Sequence, residues 1–237
     1  MSSKNPNRIH KFYYFAREKY AESAADRICR MLQSFTETIP HRPINIALSG
    51  GSTPLPVLSL LCRTSLNWER FRFFQVDERF VPLAHEQSNY GHLKQVLFTQ
   101  VPSANYPMYL EGESPLACAQ IYQQTIDEKL PKVNGVPSFD LILLGMGDDG
   151  HTASLFPGTK ALNEEENWIV ANEVPELDSI RITMSYTLIL RAREVCVLIN
   201  GKNKNQLVES MYESEDTTFP MQKIINDCPK LTWIIEL

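Results

Sequence analysis

Two rhythms of apolar residues alternate along the chain. Ala21, Ala25, Ile28, Leu32, Phe35 and Ile39 recur at three- and four-residue spacing, the buried face of a long helix, and Pro40 and Pro43 end it. Short continuous apolar runs have instead the length of buried strands: residues 44–48, 71–76, 139–144, 195–199 and 231–235. Residues 10–15 are aromatic-rich and read as an edge strand, and residues 168–174 as a further strand. Residues 179–184 alternate as a strand does, with Arg181 near the start.

Helical segments lie between these runs. One opens at Pro54 and carries Val57, Leu58, Leu60 and Leu61. Proline suits a first helical turn, where its missing N–H is not needed. Leu93, Val96, Leu97 and Phe98 make a short helix. Residues 114–130 make a longer one, with Leu116, Ala119, Ile121, Tyr122 and Ile126 as its apolar contacts, and Leu207, Val208 and Met211 mark an amphipathic helix near the C-terminus. This alternation predicts an α/β domain with a mainly parallel sheet and helices on both faces. No repeat, low-complexity segment or linker interrupts the pattern. Residues 1–237 therefore read as one domain, with the polar residues 1–8 frayed.

The polar residues cluster after the strands, where α/β sheets bind ligands. After residues 139–144 comes Gly145-Met146-Gly147-Asp148-Asp149-Gly150-His151-Thr152-Ala153-Ser154-Leu155-Phe156-Pro157-Gly158. Its glycines let a backbone approach a ligand closely, and a histidine beside carboxylates can take a proton from water near neutral pH. After Leu48 comes Ser49-Gly50-Gly51-Ser52-Thr53-Pro54, a glycine turn with hydroxyls at a helix start, which suits an anion. Its spacing matches neither the P-loop nor the dinucleotide fingerprint. Asp77-Glu78-Arg79 ends another strand. Arg79 suits a phosphate, a developing oxyanion or a surface ion pair with its neighbours. Lys204 stands in the first turn of its helix, where the dipole disfavours a cation unless an anion is bound. His85 and His92 lie in a polar stretch and read as solvated.

Composition narrows the function. A hydrophobic content of 43% with 22% charged residues is that of an ordinary globular protein, and a net charge of −5 argues against general nucleic-acid binding. The five cysteines form no C-x-x-C pair and no zinc-like spacing, and read as free thiols of a reducing compartment. With no secretory or spanning segment, a cytoplasmic protein is expected.

Taken together, the segments resemble the 6-phosphogluconolactonases. The resemblance rests on Ser49-Gly50-Gly51-Ser52-Thr53-Pro54, Asp77-Glu78-Arg79 with Val81-Pro82, Ser88-Asn89, the stretch from Gly145 to Pro157, Arg181-Ile182-Thr183, and Gly201 with Lys204. These span nearly the whole chain in the family's order, and the stretch around Asp149-Gly150-His151 is the most specific. The resemblance implies a Rossmann-like fold shared with glucosamine-6-phosphate deaminase and ribose-5-phosphate isomerase. It also implies hydrolysis of 6-phosphogluconolactone in the pentose phosphate pathway. Thr152 to Pro157 and Arg79 favour the lactonase over the deaminase, whose motifs are similar to D-G-H-I-A-F-N-E-P and D-E-Y. A deaminase or isomerase on the same fold, or a silent sugar-phosphate binder, are the alternatives.

For lactone hydrolysis His151 is assigned as general base. Asp149 or Asp77 would orient its ring, and Arg79 or backbone N–H groups would stabilise the oxyanion. Arg181 and Lys204, with the loop of Ser49, Gly50, Gly51 and Ser52, would hold the phosphate. No cofactor is required. A metal on Asp77, Asp148, Asp149 and His151 is the less expected arrangement, since carboxylates near a histidine are more often its hydrogen-bond partners. The expected partner is a small sugar-phosphate lactone, not nucleic acid or membrane.

Overall fold

The computed structural model describes residues 8–213 and 218–237, so most of the segment read as frayed lies outside the described residues. The chain opens with β1 (Ile9–Phe15), α1 (Tyr20–Thr38), β2 (Ile44–Leu48), α2 (Pro54–Leu61), β3 (Phe71–Gln75) and β4 (Asp77–Arg79). It continues with α3 (Asn89–Leu93), one π-helical turn, β5 (Ala104–Tyr106), α4 (Pro115–Lys129), β6 (Lys132–Val133), β7 (Val136–Pro137) and β8 (Leu141–Leu144). It ends with β9 (Ile169–Val174), β10 (Ser179–Met184), α5 (Tyr186–Ile189), β11 (Val195–Ile199), α6 (Lys202–Glu213), α7 (Pro220–Asp227) and β12 (Lys230–Glu236).

Seven strands form one parallel sheet in the order β1-β12-β11-β8-β2-β3-β5. Its inner strands are apolar on both faces, as a parallel sheet covered on both sides requires. In β8, Leu141 and Leu143 face a core with α1 and α2, while Ile142 and Leu144 face the opposite core with α4, α6 and α7. Trp233 in β12 is wholly buried in the second core. Among the described residues, no helix is long and apolar enough to cross a membrane.

Strand order fixes where a ligand can enter. From β2 the chain moves outward through β3 to β5, then returns to β8 on the other side of β2 and moves away through β11 and β12. The loops after β2 and β8 therefore diverge at the carboxyl ends of two adjacent strands, which opens a crevice. These are the Ser49–Ser52 and Gly145–His151 loops.

A second sheet was not foreseen. Residues 77–79, read as the end of the preceding strand, form a separate strand, and β4-β10-β9 make an antiparallel sheet over the second core. β9 and β10 form a local hairpin, but β4 joins β10 across about a hundred residues, which local periodicity does not report. Two smaller expectations are also corrected. Leu116 and Ile121 on α4 are exposed, and the buried face is Cys118, Ala119, Tyr122 and Ile126. His92 is half-buried rather than solvated, and its Nδ1 is buried.

One polar tie fixes the starts of β2 and β8. Asp140 is buried and accepts from both terminal nitrogens of Arg42, at 2.7 and 2.6 Å, and from the Asn45 backbone N–H at 2.9 Å. Asp140→Asn turns one acceptor into a donor against these N–H groups. The expected loss is about 1–3 kcal/mol in urea unfolding, with turnover per folded molecule unchanged because the tie lies at the far end of the sheet from the cleft.

Candidate active site

The crevice at the switch between β2 and β8 is a cleft of about 510 Å³. The loop after β2 contributes Ser49 and Ser52, β4 contributes Asp77 and Arg79, and Asn89 comes from the start of α3. The loop after β8 brings Asp149 and His151, while β10 and α6 bring Arg181 and Lys204. All these positions were singled out in the sequence, though Asn89 only as part of a motif.

The loop after β8 folds back on itself. The Gly147 N–H donates to the His151 carbonyl at 2.9 Å, and Thr152 Oγ1 donates to the Gly145 carbonyl at 2.9 Å. Ser154 then pins the loop to the second sheet: its N–H donates to Thr183 Oγ1 at 3.1 Å, and its carbonyl accepts from Asn172 Nδ2 at 2.9 Å. Ala153, at φ 52°, takes the left-handed conformation that this path requires, at a cost of about 1–2 kcal/mol.

His151 is held from two sides. Its Nδ1 lies 2.5 Å from Asp149 Oδ1, which also accepts the His151 backbone N–H at 3.1 Å. Its ring stacks on Phe156, with centroids 4.1 Å apart. A carboxylate at Nδ1 selects the tautomer protonated there and leaves Nε2 as the proton acceptor. Asp77 is engaged elsewhere, accepting from Ser154 Oγ at 2.6 Å. Of the two carboxylates, the one against the imidazole is therefore Asp149.

Gly147 makes this geometry possible. A Cβ there would lie 2.2 Å from His151 Nδ1 and 2.6 Å from Asp149 Oδ1. Gly50 has a similar role on the facing loop, where a Cβ would lie 2.6 Å from Asn89 Cβ. That loop is braced to the end of β11 by Thr53 Oγ1, which donates to Asn200 Oδ1 at 2.7 Å.

Three cations line the same cleft, and the Arg181 guanidinium lies 5.9 Å from the ring of Phe156. Arg79 and Arg181 are directly opposed in the antiparallel register of β4 and β10. Arg79 does not pair with Asp77 or Glu78: its Nη1 donates to the Gln87 carbonyl at 2.7 Å. The Nε atoms of both arginines are buried without a partner. Burial, and then the charge of Arg79, push the Arg181 guanidinium below the usual arginine range, against the pull of Asp77 and Glu78. Two like charges opposed and partly desolvated favour an anion between them. Among the described residues, the carboxylate within ion-pair reach of Lys204 is the exposed Asp148, at 3.9 Å.

Sequence reasoning gave no role to Glu78. It is wholly buried and accepts from Gln75 Nε2, Ser88 Oγ and the backbone N–H groups of Arg79, Asn89 and Tyr90. Burial pushes its carboxyl up, and four of these donors pull it back. Its position between Asp77 and Arg79 was the only local signal. Asn89 hangs from this anchor. Its Nδ2 donates to the Asp77 carbonyl at 3.0 Å, while its Oδ1 is buried, without a partner, in a side chain that lines the cleft. Ser49 Oγ is likewise buried and unpaired. Asp77, Asp148, Asp149 and His151 do not gather as a metal site: Asp77 is taken by Ser154 and Asp148 lies by Lys204, which leaves Asp149 alone at His151. No group of three metal-binding side chains occurs among the described residues.

A Rossmann-like parallel sheet whose switch point carries a histidine–carboxylate pair and two arginines is an α/β fold with a site suited to an anionic ligand. Residues 16–233 match the model of the glucosamine-6-phosphate isomerases/6-phosphogluconolactonase family, and the chain belongs to that family. It is 34% identical over 196 residues to a 6-phosphogluconolactonase of Chlamydia pneumoniae, covering 80% of this chain and 74% of the relative. It is 32% identical over 212 residues to one of Haemophilus influenzae, covering 86% and 88%. Among solved structures, the 6-phosphogluconolactonase of Trypanosoma brucei superposes with a TM-score of 0.83 over 96% of both chains, at 27% identity.

Gly147→Ala should drive the imidazole off Asp149. The expected result is a fall in kcat of about 10²-fold or more, with KM changed far less because the arginines are untouched. Steady-state kinetics on the folded variant check this.

Proposed function

We propose that the cleft hydrolyses 6-phosphogluconolactone to 6-phosphogluconate, the lactonase step of the pentose phosphate pathway, with His151 as general base. The observation that carries this reading is the short Nδ1 contact of His151 with Asp149, in one cleft with two arginines that have no ion-pair partner among the described residues. The enzyme is a hydrolase acting on a cyclic ester. Nε2 of neutral His151 takes a proton from water as its oxygen attacks the ring carbonyl carbon. Asp149 stabilises the imidazolium that forms. The carbonyl π electrons move to oxygen, and backbone N–H groups of the glycine-rich turn meet the negative charge that develops there. As the carbonyl re-forms, the ring C–O bond breaks. The ring oxygen leaves with the proton from His151, which restores the neutral imidazole.

Arg79 and Arg181 together hold the substrate phosphate, with Lys204 and the loop of Ser49, Gly50, Gly51 and Ser52. A phosphate dianion offsets the repulsion between the opposed guanidiniums. Asn89 Oδ1 and Ser49 Oγ accept from sugar hydroxyls. Asp77 acts as a positioning residue, fixing Ser154 and with it the histidine loop. Residues 1–237 act as one catalytic domain in the cytoplasm, which suits five unpaired thiols and a phosphorylated small-molecule substrate.

His151→Ala should lower kcat about 10²–10⁴-fold while leaving product binding largely intact. General-base catalysis makes kcat/KM fall as the pH drops, since only an unprotonated base accepts a proton from water. The substrate phosphate also titrates, around ~6. Any acid limb that survives in His151→Ala therefore belongs to the substrate. A folded His151→Ala enzyme with near-native kcat would overturn the assignment. So would ammonia release from glucosamine 6-phosphate without lactone turnover, in favour of the deaminase. Chelator should leave the rate unchanged.

Arg181→Ala should act mainly on KM, by about ten- to a hundredfold, the size of a lost charge-assisted hydrogen bond. Arg181→Lys should recover only part of this, because an ammonium does not present the guanidinium fork. Asn89→Leu should raise KM with kcat less affected. Unchanged KM in Arg181→Ala would remove that residue from the phosphate site.

A further inference from the structure

A second cationic pocket lies at the other end of the large sheet, and the hydrolysis makes no use of it. Arg27, Arg30 and Ser34 recur at helical spacing along α1. With Lys11 of β1, Lys230 of β12 and Glu194 before β11, they line a cavity of about 170 Å³. Glu194 and Lys230 stand where β11 and β12 begin, whereas the catalytic cleft lies where β2, β8 and β11 end. At a rise of ~3.3 Å per residue, the length of β11 puts the two sites roughly 17–20 Å apart.

The charge of this pocket is unbalanced. Four cations and one carboxylate line it, and the carboxylate is already engaged. Glu194 is buried, with Oε2 2.6 Å from Lys230 Nζ and Oε1 accepting from Thr232 Oγ1 at 2.9 Å. Lys11, Arg27 and Arg30 have no ion-pair partner among the described residues. A surplus of three positive charges thus surrounds one small cavity in a protein of net charge −5.

The geometry is set before any ligand arrives. The Arg27 guanidinium lies over the Tyr13 ring, 4.2 Å from its centroid, and its Nε is buried with no hydrogen-bond partner. Stacking on an aromatic face fixes the plane of the fork and limits its escape into solvent. The Arg193 guanidinium lies 5.5 Å from the ring of Phe35, another lining residue, and adds to the local field.

We propose that this pocket binds a phosphate dianion, either free phosphate or the phosphoryl end of a small metabolite. Guanidinium forks pair with two oxygens of a phosphate at once, and the ammonium of Lys11 adds a third charge. A monocarboxylate would leave most of the surplus unbalanced. A cavity of this size admits the phosphoryl group and leaves any attached carbon skeleton outside.

The test is an NMR titration of the intact protein with inorganic phosphate at constant ionic strength, reading the Arg27 Nε–H and the backbone amides of Lys11, Tyr13 and Arg30. These resonances should move and saturate. The shifts should be absent when sodium chloride replaces phosphate. Arg30→Gln, at an exposed position, should weaken the binding by about tenfold or more without altering the fold. Arg27→Gln combined with Arg30→Gln should abolish it while kcat on the lactone stays unchanged. Phosphate-induced shifts confined to the catalytic cleft would overturn the proposal, as would equal shifts with chloride or an affinity indifferent to Arg30→Gln. A parallel titration with glycerol 3-phosphate assigns the source: tighter binding than inorganic phosphate marks a metabolite site, and equal or weaker binding marks a site for the free ion.

Discussion

The inner strands of the large sheet are covered on both faces, and this constraint governs where polar chemistry can stand. Leu141 and Leu143 commit one face of β8 to one core, and Ile142 and Leu144 commit the other. A side chain that must meet water or substrate is therefore excluded from the strand interiors and placed in the loops beyond their ends. At the switch between β2 and β8, two such loops part and leave an opening. The polar residues that begin at Ser49 and Gly145 occupy it, and the apolar sheet behind them supplies a rigid floor.

The antiparallel sheet completes what the parallel sheet begins. It carries Asp77 and Arg79 on β4 and Arg181 on β10, and its Thr183 and Asn172 hold Ser154 in the histidine loop. Opposing Arg79 to Arg181 has a free-energy cost in the unliganded protein, as do the buried unpaired atoms of Ser49 and Asn89. These costs fall together in one cleft. Glu78, wholly buried behind it, has five donors and no such deficit. Unsatisfied groups at the site, beside a satisfied support, are what a ligand-completed arrangement requires.

Close backbone approach is the other theme of the cleft. Gly147 allows His151 and Asp149 to meet above it, and Gly50 allows the loop after β2 to rest on Asn89. In each case the missing side chain is a packing condition on a neighbouring functional group. The tautomer of His151 thus depends on the absence of a methyl group four residues earlier in the chain.

Much of this was legible in the sequence because it is local. Continuous apolar runs located β2, β8 and β11, and the three- and four-residue spacing of Ala25, Ile28, Leu32 and Phe35 located α1. The glycine-rich turns marked both loops that line the cleft, since glycines, hydroxyls and carboxylates directly after a strand stand where α/β sheets bind ligands. What the sequence could not decide is non-local. The choice between Asp149 and Asp77 depended on the fold of one turn and on Ser154, 77 residues from Asp77 in the chain, taking the other carboxylate. The opposition of Arg79 and Arg181 depended on a strand register across about a hundred residues, and the gathering of Lys11, Arg27 and Lys230 on the return of β12 beside β1. Side-chain period and turn chemistry are fixed by neighbouring residues, whereas distances between remote side chains are set by how the sheets pair and the helices pack, and only the tertiary structure decides them.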